Sequence, residues 1–367
     1  MKRVARKLAK IRNLMSAMNL DGVLLRQRRS FSWLTNGKRN FIVTSTKLGV
    51  ADVLIFKDTV YCITTKMEHA RLLEEELAEF PWEWITSEWY EGTEETISKL
   101  CQGKAIGMDV PAESLAHIQG RNIARELAEL SFVLESDEIE RYRWLSLRVA
   151  KALEETCREI IPGMTEFEIQ SALIAKVAGF GIQTPVLLVA TDQRIFSYRH
   201  PIPTEKKLER YAMLVLCGEK WGLVANATRF VHFGALGQDL QKTRKVLAEI
   251  DLAFNLATRP GVPIREVFRQ GVEAYEQWGY ADDWRYLHQG GPTGYASREF
   301  LANLESPGVV HCDQAFAWNP SLKGLKSEDT LLVTDHGNEF LTHTGTWNYL
   351  QIEKNGKLYE RPDILIR

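Results

Sequence analysis

Apolar residues recur at Val4, Leu8, Ile11, Met15 and Met18, at steps of three or four. The spacing predicts a helix over residues 1–20 whose opposite face is basic and solvated. A short apolar run predicts a strand at 21–25. The Arg- and aromatic-dense stretch 26–37 reads as a loop. Residues 51–56 and 60–64 flank a Lys57-Asp58 turn, the pattern of a β-hairpin. A helix at 67–78, a strand at 104–108 and a helix at 112–128 complete an α/β domain expected over 1–134.

From residue 135 the period lengthens. Ser136 suits the N-cap of a long amphipathic helix running to about 160, where Pro162 and Gly163 stop it. Thr165 and Glu168 have the spacing of a capping box, so a second helix starts at once. Strands are expected near 184–190, 212–217 and 223–233, and helices over 238–258 and 264–278. Short strands with Gly-rich turns finish the chain. Helices and antiparallel strands in this order describe an α+β domain over 135–367.

A chain of 367 residues suits two domains of roughly 100–200 residues each. With 45% hydrophobic residues there is enough apolar material for two cores. A net charge of −2 argues against a polyanion-binding chain. The basic N-terminus is not followed by the apolar run of a secretory signal, and no stretch approaches the ~20 apolar residues of a membrane span. The five cysteines are scattered and lack CxxC spacing, which suits reduced thiols in the cytoplasm. Trp82 and Trp84 read as surface or interface aromatics.

Four segments concentrate the residues that carry chemistry. Residues 215–229 read as a hairpin ending in Thr228-Arg229. Residues 288–299 run from His288 through Gly290, Gly291, Gly294 and Tyr295 to Arg298. Asn319 precedes Pro320, and Glu328 precedes Asp329 and Thr330. Upstream, His200 stands before Pro201.

In this order the segments resemble the pita-bread family that holds methionine aminopeptidase, aminopeptidase P, prolidase and creatinase. The resemblance covers nearly the whole chain. It implies a creatinase-type N-terminal α/β domain followed by a pita-bread domain. Anchored on Thr228-Arg229, the family's paired aspartates fall on Val215 and Asn226. Its glycine-flanked histidine falls on Gly291, a second family histidine on Arg298, and the glutamate of its Glu-Pro-Gly motif on Asn319. The last glutamate is kept as Glu328. One carboxylate with neutral amides does not hold two hard divalent ions, which need several anionic oxygens. The resemblance therefore implies no metal here, and no other cofactor is expected.

Creatinase, a metal-free hydrolase of this fold, supplies the leading expectation. His200 would act as general acid and base, Glu328 as its carboxylate partner or a substrate binder, and Arg298 as an anion contact. Asn226, His288, Asn319 and Tyr295 are expected to contact substrate. Creatinase-like dimers complete the site with an N-domain arginine of the partner subunit, which makes Arg26, Arg28 or Arg39 a candidate. The expected protein is a cytoplasmic homodimer that cleaves a C–N bond of a small carboxylate-bearing or peptide-like substrate, with no nucleic-acid or membrane partner. Two other classes stand beside it. One is an Xaa-Pro aminopeptidase- or dipeptidase-like metallopeptidase with altered ligands. The other is a pseudoenzyme that binds a peptide or small molecule without turnover, as histone-chaperone subunits of this fold do. His232, His311, His336 and His343 read as structural or surface residues.

Overall fold

The computed structural model describes residues 2–111, 115, 118 and 120–367. It divides into two compact units, Met1–Ser131 with Trp221–Leu223, and Phe132–Lys220 with Val224–Arg367.

The first unit opens with α1 (Lys2–Met18), whose Val4, Ile11 and Met15 are buried. Then come β1 (Gly22–Gln27), α2 (Arg28–Leu34), β2 (Leu48–Phe56), β3 (Val60–Thr65) and α3 (Lys66–Arg71), which runs on as a π-turn over Leu72–Glu76. β4 (Glu83–Ser87), α4 (Glu94–Cys101), β5 (Ile106–Met108), β6 (Gly120–Asn122) and α5 (Ala124–Glu129) follow. The six strands form one sheet in the order β4-β3-β2-β1-β5-β6. Leu24, Leu54, Ile63, Ile106 and Met108 build its core.

Three readings change here. The expected loop at 26–37 contains the helix α2, because Phe31, Trp33 and Leu34 turn one face inward. Of the helix expected over 112–128, residues 112–114, 116, 117 and 119 lie outside the described ones. The described remainder holds a strand and only a short helix. Trp82 is buried beside Phe80 rather than on the surface.

The second unit starts with α6 (Ser136–Glu159) and α7 (Glu166–Ala178). The cap of α6 falls on Glu135, one residue before the expected Ser136, because Glu138 accepts the Glu135 N–H at 2.8 Å. The Thr165–Glu168 capping box is present, with Glu168 N–H donating to Thr165 Oγ1 at 3.1 Å and Thr165 N–H to Glu168 at 2.7 Å. β7 (Gln183–Thr191), α8 (Gln193–Ser197), β8 (Tyr211–Lys220), β9 (Leu223–His232), α9 (Gln238–Ala257) and α10 (Ile264–Gln277) come next. They are followed by β10 (Gly290–Thr293), β11 (Ala315–Trp318), β12 (Ser321–Leu322), β13 (Leu325–Lys326), β14 (Asp329–Thr334) and β15 (Gly337–Phe340). The chain ends with β16 (Tyr349–Lys354), β17 (Lys357–Pro362) and β18 (Leu365–Ile366).

Two four-stranded sheets, β18-β9-β8-β7 and β10-β11-β14-β15, carry the unit. They meet where β9 runs beside β14. There Thr228 N–H donates to Glu328 O at 3.1 Å and Asn226 N–H to Thr330 Oγ1 at 2.8 Å. α9 and α10 pack together, and Ile250, Phe254, Phe268, Phe316 and Trp318 join the main core beneath the sheets. Among the described residues no helix is long and apolar enough to cross a membrane.

Candidate functional site

Side chains alternate across a strand, so every second residue shares a face. β7 and β8 pair antiparallel with Leu188 opposite Val215 and Val186 opposite Cys217. All four side chains line one cavity of about 310 Å³, to which Leu301 adds another apolar group. The remaining lining is polar and includes His200, His288, Arg298, Asn319, Lys326 and Glu328. Those residues come from distant parts of the sequence. Asn319 follows β11, Lys326 ends β13, Glu328 leads into β14, and both histidines sit in loops.

Glu328 is the centre of this polar wall. Its Oε1 accepts from Arg298 Nη2 at 2.8 Å, and its Oε2 lies 3.0 Å from Lys326 Nζ. Thr228 Oγ1 donates to Oε2 at 2.7 Å. The Lys326, Arg298 and Glu328 side chains are only 5%, 8% and 4% exposed. Burial alone would raise the Glu328 carboxyl. Lys326 and Arg298, with Thr228, outweigh it and hold the group at about 2. Glu328 is thus a permanent carboxylate with its lone pairs engaged.

The relay expected between His200 and Glu328 is not formed, for that reason. Among the described residues no hydrogen bond joins them. His200 stands exposed at the edge of the cavity, its ring centroid 5.6 Å from that of His288. Partial burial lowers the His200 imidazole, and Lys326 lowers it further, against an opposing pull from Glu328. His288 is brought down to about 4, first by burial and then by Arg298. Both rings are neutral near pH 7, the form that accepts a proton. His288 Nδ1 is buried and has no hydrogen-bond partner among the described residues. Burial pushes the Cys217 thiol up to about 12, so it is no thiolate nucleophile.

The expected contacts divide. His200, His288, Asn319, Arg298 and Glu328 do line one cavity. Asn226 does not. It is fully buried, with Nδ2 donating to Thr293 Oγ1 at 3.0 Å, because it is held in the seam between the two sheets. Tyr295 is also withdrawn: its buried hydroxyl donates to Glu138 at 2.6 Å, at the start of α6. Arg28, in the other unit, stacks 3.5 Å from the Phe41 ring centroid and donates to Thr44 O at 2.8 Å. Its Nη1 also donates to Thr46 O at 3.2 Å, within the same 41–46 segment. His343, read as structural or surface, lies 3.3 Å from Asp329 in a buried network with Arg229 and Arg361. Burial would raise Asp329, but Arg229, Arg361 and His343 hold it far below the usual carboxylate range.

From sequence Lys326 reads only as a candidate ion-pair partner of Glu328, with no part in the site. The signal was present, since Lys326 and Glu328 are two apart on an extended segment and share a face.

As a cage for a pair of hard divalent ions these residues do not fit. Among the described residues no group of three or more His, Cys, Asp or Glu side chains could hold a metal ion. Two built-in cations already occupy the carboxylate of the cavity. Two further features agree. Val215 presents methyl groups. Gly291 has φ +149°, and a Cβ there would stand 2.7 Å from Phe300 O.

The profile of metallopeptidase family M24 matches residues 140–335, and that of the creatinase/prolidase N-terminal domain matches residues 7–145. An uncharacterized peptidase of Staphylococcus haemolyticus is 25% identical over 234 residues, which are 60% of this chain and 66% of that protein. The chain spans just under two thirds of the length of the curated relatives it matches first. Among solved structures, the Xaa-Pro dipeptidase from Bacillus anthracis superposes with a TM-score of 0.80 at 18% identity, over 99% of this chain and 100% of that one. Dipeptidase PepE from Mycobacterium ulcerans gives 0.81 at 16% identity, over 100% and 98%. The architecture expected from the sequence, a creatinase-type N-terminal domain followed by a pita-bread domain, is the one found.

Proposed function

We propose, from the premise that this chain belongs to metallopeptidase family M24, that it cleaves a C–N bond of a small peptide-like, carboxylate-bearing molecule without a resident pair of metal ions. The observation that carries this reading is the grip of Arg298 and Lys326 on Glu328, at 2.8 and 3.0 Å. A divalent ion on that carboxylate would have to displace one cation and lie against the other. Electrostatic support that a metal gives by binding is here supplied by two covalently attached side chains.

In this reading His200 moves the protons. It borders the cavity, is reached by solvent, and is neutral near pH 7. It takes a proton from water as the oxygen attacks the carbonyl carbon. The imidazolium then returns that proton to the leaving nitrogen as the C–N bond breaks. Glu328 takes no proton in this scheme.

A second reading is favoured by the family itself and by the dipeptidase and Xaa-Pro dipeptidase folds. It is a metal-dependent Xaa-Pro peptidase with altered ligands. One experiment separates the two. The full chain is purified with manganese, cobalt or zinc present, its bound metal is measured, and Xaa-Pro dipeptides are offered with and without a chelator. Less than one ion per chain, with cleavage that survives the chelator and is lost in His200→Ala, is the expected result. Two tightly held ions with chelator-sensitive cleavage would establish the second reading. Ligand binding with no cleavage under any condition would make the chain a binding protein.

A further inference from the structure

We infer that the buried Lys326–Glu328–Arg298 group is a carboxylate-docking subsite, with an aliphatic arm of the same ligand lying on the Val186, Leu188, Val215 and Leu301 wall. The inference rests on reading the cavity as a ligand site and specifies what the ligand is and which way it points.

Charge is the first reason. Two cations face one carboxylate, so within this group one positive charge stands beyond what Glu328 neutralises, on side chains less than a tenth exposed. Both neighbouring histidines are neutral and do not offset it. A buried charge is expensive unless paired, so the missing partner is an anion.

Unused donors are the second. Arg298 gives one N–H to Glu328 and one to the Ser297 carbonyl, and its buried Nε has no acceptor among the described residues. Among the described residues Glu328 is the one carboxylate within ion-pair reach of the Lys326 ammonium, which carries three protons. The wall already holds its acceptor, and what it lacks is another. A carboxylate supplies two oxygens and one negative charge.

Shape is the third. Leu188–Val215 and Val186–Cys217 are cross-strand pairs forming an apolar floor beside the charged wall, and Leu301 is half exposed beside them. A volume of about 310 Å³ is at the small end of ligand pockets, which run from roughly 300 to 1,000 Å³. That suits a branched aliphatic carboxylate up to the size of a small dipeptide. With the carboxylate held by Lys326 and Arg298, the rest of the ligand extends toward His200 and His288.

Calorimetric titration of the full chain tests this. The probes are isocaproate, N-acetylleucine, acetate, isocaproamide and isoamylamine. Isocaproate and N-acetylleucine are expected to bind, the neutral amide at least ~10-fold more weakly, the amine not at all, and acetate more weakly than isocaproate. Lys326→Met leaves a neutral Arg298–Glu328 pair and should erase the preference for carboxylate over amide. Leu301→Ser changes an exposed side chain, so it keeps the test decisive if Lys326→Met fails to fold. It should narrow the gap between isocaproate and acetate. Equal binding of acid and amide, preference for the amine, or no binding of any probe would overturn the inference. Carboxylate binding without cleavage of any Xaa-Pro peptide would refute the hydrolase reading and leave the subsite standing. Cleavage with no carboxylate preference would do the reverse.

Discussion

Replacing Glu328 by glutamine keeps the shape of the cavity wall and removes the one charge that Lys326 and Arg298 share. The carboxyl is brought from an ordinary 4.5 to about 2 by those cations and Thr228, against a burial effect that works the other way. A displacement of that size is worth ~3 kcal/mol of folding stability. Because the folded-state value is the lower one, this stability is fully present above about pH 4.5. It is lost as pH falls from there through about 2. Near pH 7, Glu328→Gln leaves two buried cations facing each other, and breaking a buried pair in this way costs about 3–5 kcal/mol. Adding Lys326→Met removes one of the stranded charges. The double variant should recover ~1–3 kcal/mol relative to the sum of the singles, as contacting residues do. Urea unfolding of the full chain, followed by tryptophan fluorescence between pH 7 and pH 3, measures both effects. The reasoning fails if Glu328→Gln unfolds at the wild-type midpoint. It also fails if the variant keeps the acid sensitivity of the wild type, or if the double variant loses the full sum.

Two other predictions follow from the geometry. Gly290 has φ +93°, and a Cβ there would stand 2.1 Å from Ala317 O, so Gly290→Ala should destabilise the chain by ~2–4 kcal/mol in thermal unfolding. His288, brought down to about 4, should show its imidazole carbon shifts moving only below about pH 5 in an NMR titration, and not near 6.5. Since its folded-state value is lowered, its contribution to stability is lost as pH falls from 6.5 through about 4.

The elements with a long, regular period were legible from the residues alone. α6, α7, the 51–65 hairpin and the pair α9 and α10 follow from helical or alternating spacing. α2 did not, because seven residues with three apolar side chains in an Arg-rich run give too short a pattern. The cavity was legible in part. Motif order brought His200, His288, Arg298, Asn319 and Glu328 toward one place. It left undecided which face of its strand Asn226 presents and where the Tyr295 ring turns, since those depend on sheet pairing and on α6. The partnership of Glu328 with Lys326 rather than with His200 depends on distances that spacing along a strand suggests but does not supply.

The glycine pair in β10 has a consequence for engineering. Val215 and Asn319 already carry side chains that line the cavity, so carboxylates can be tried there by substitution alone. Gly291 cannot become a histidine in the same way, because its φ of +149° and the nearness of Phe300 O and Ala302 N leave a side chain no room. Installing a two-ion centre here therefore requires re-routing the 298–302 segment as well as restoring the ligands. A library confined to side-chain swaps at the five ligand positions should yield weak single-ion sites at most.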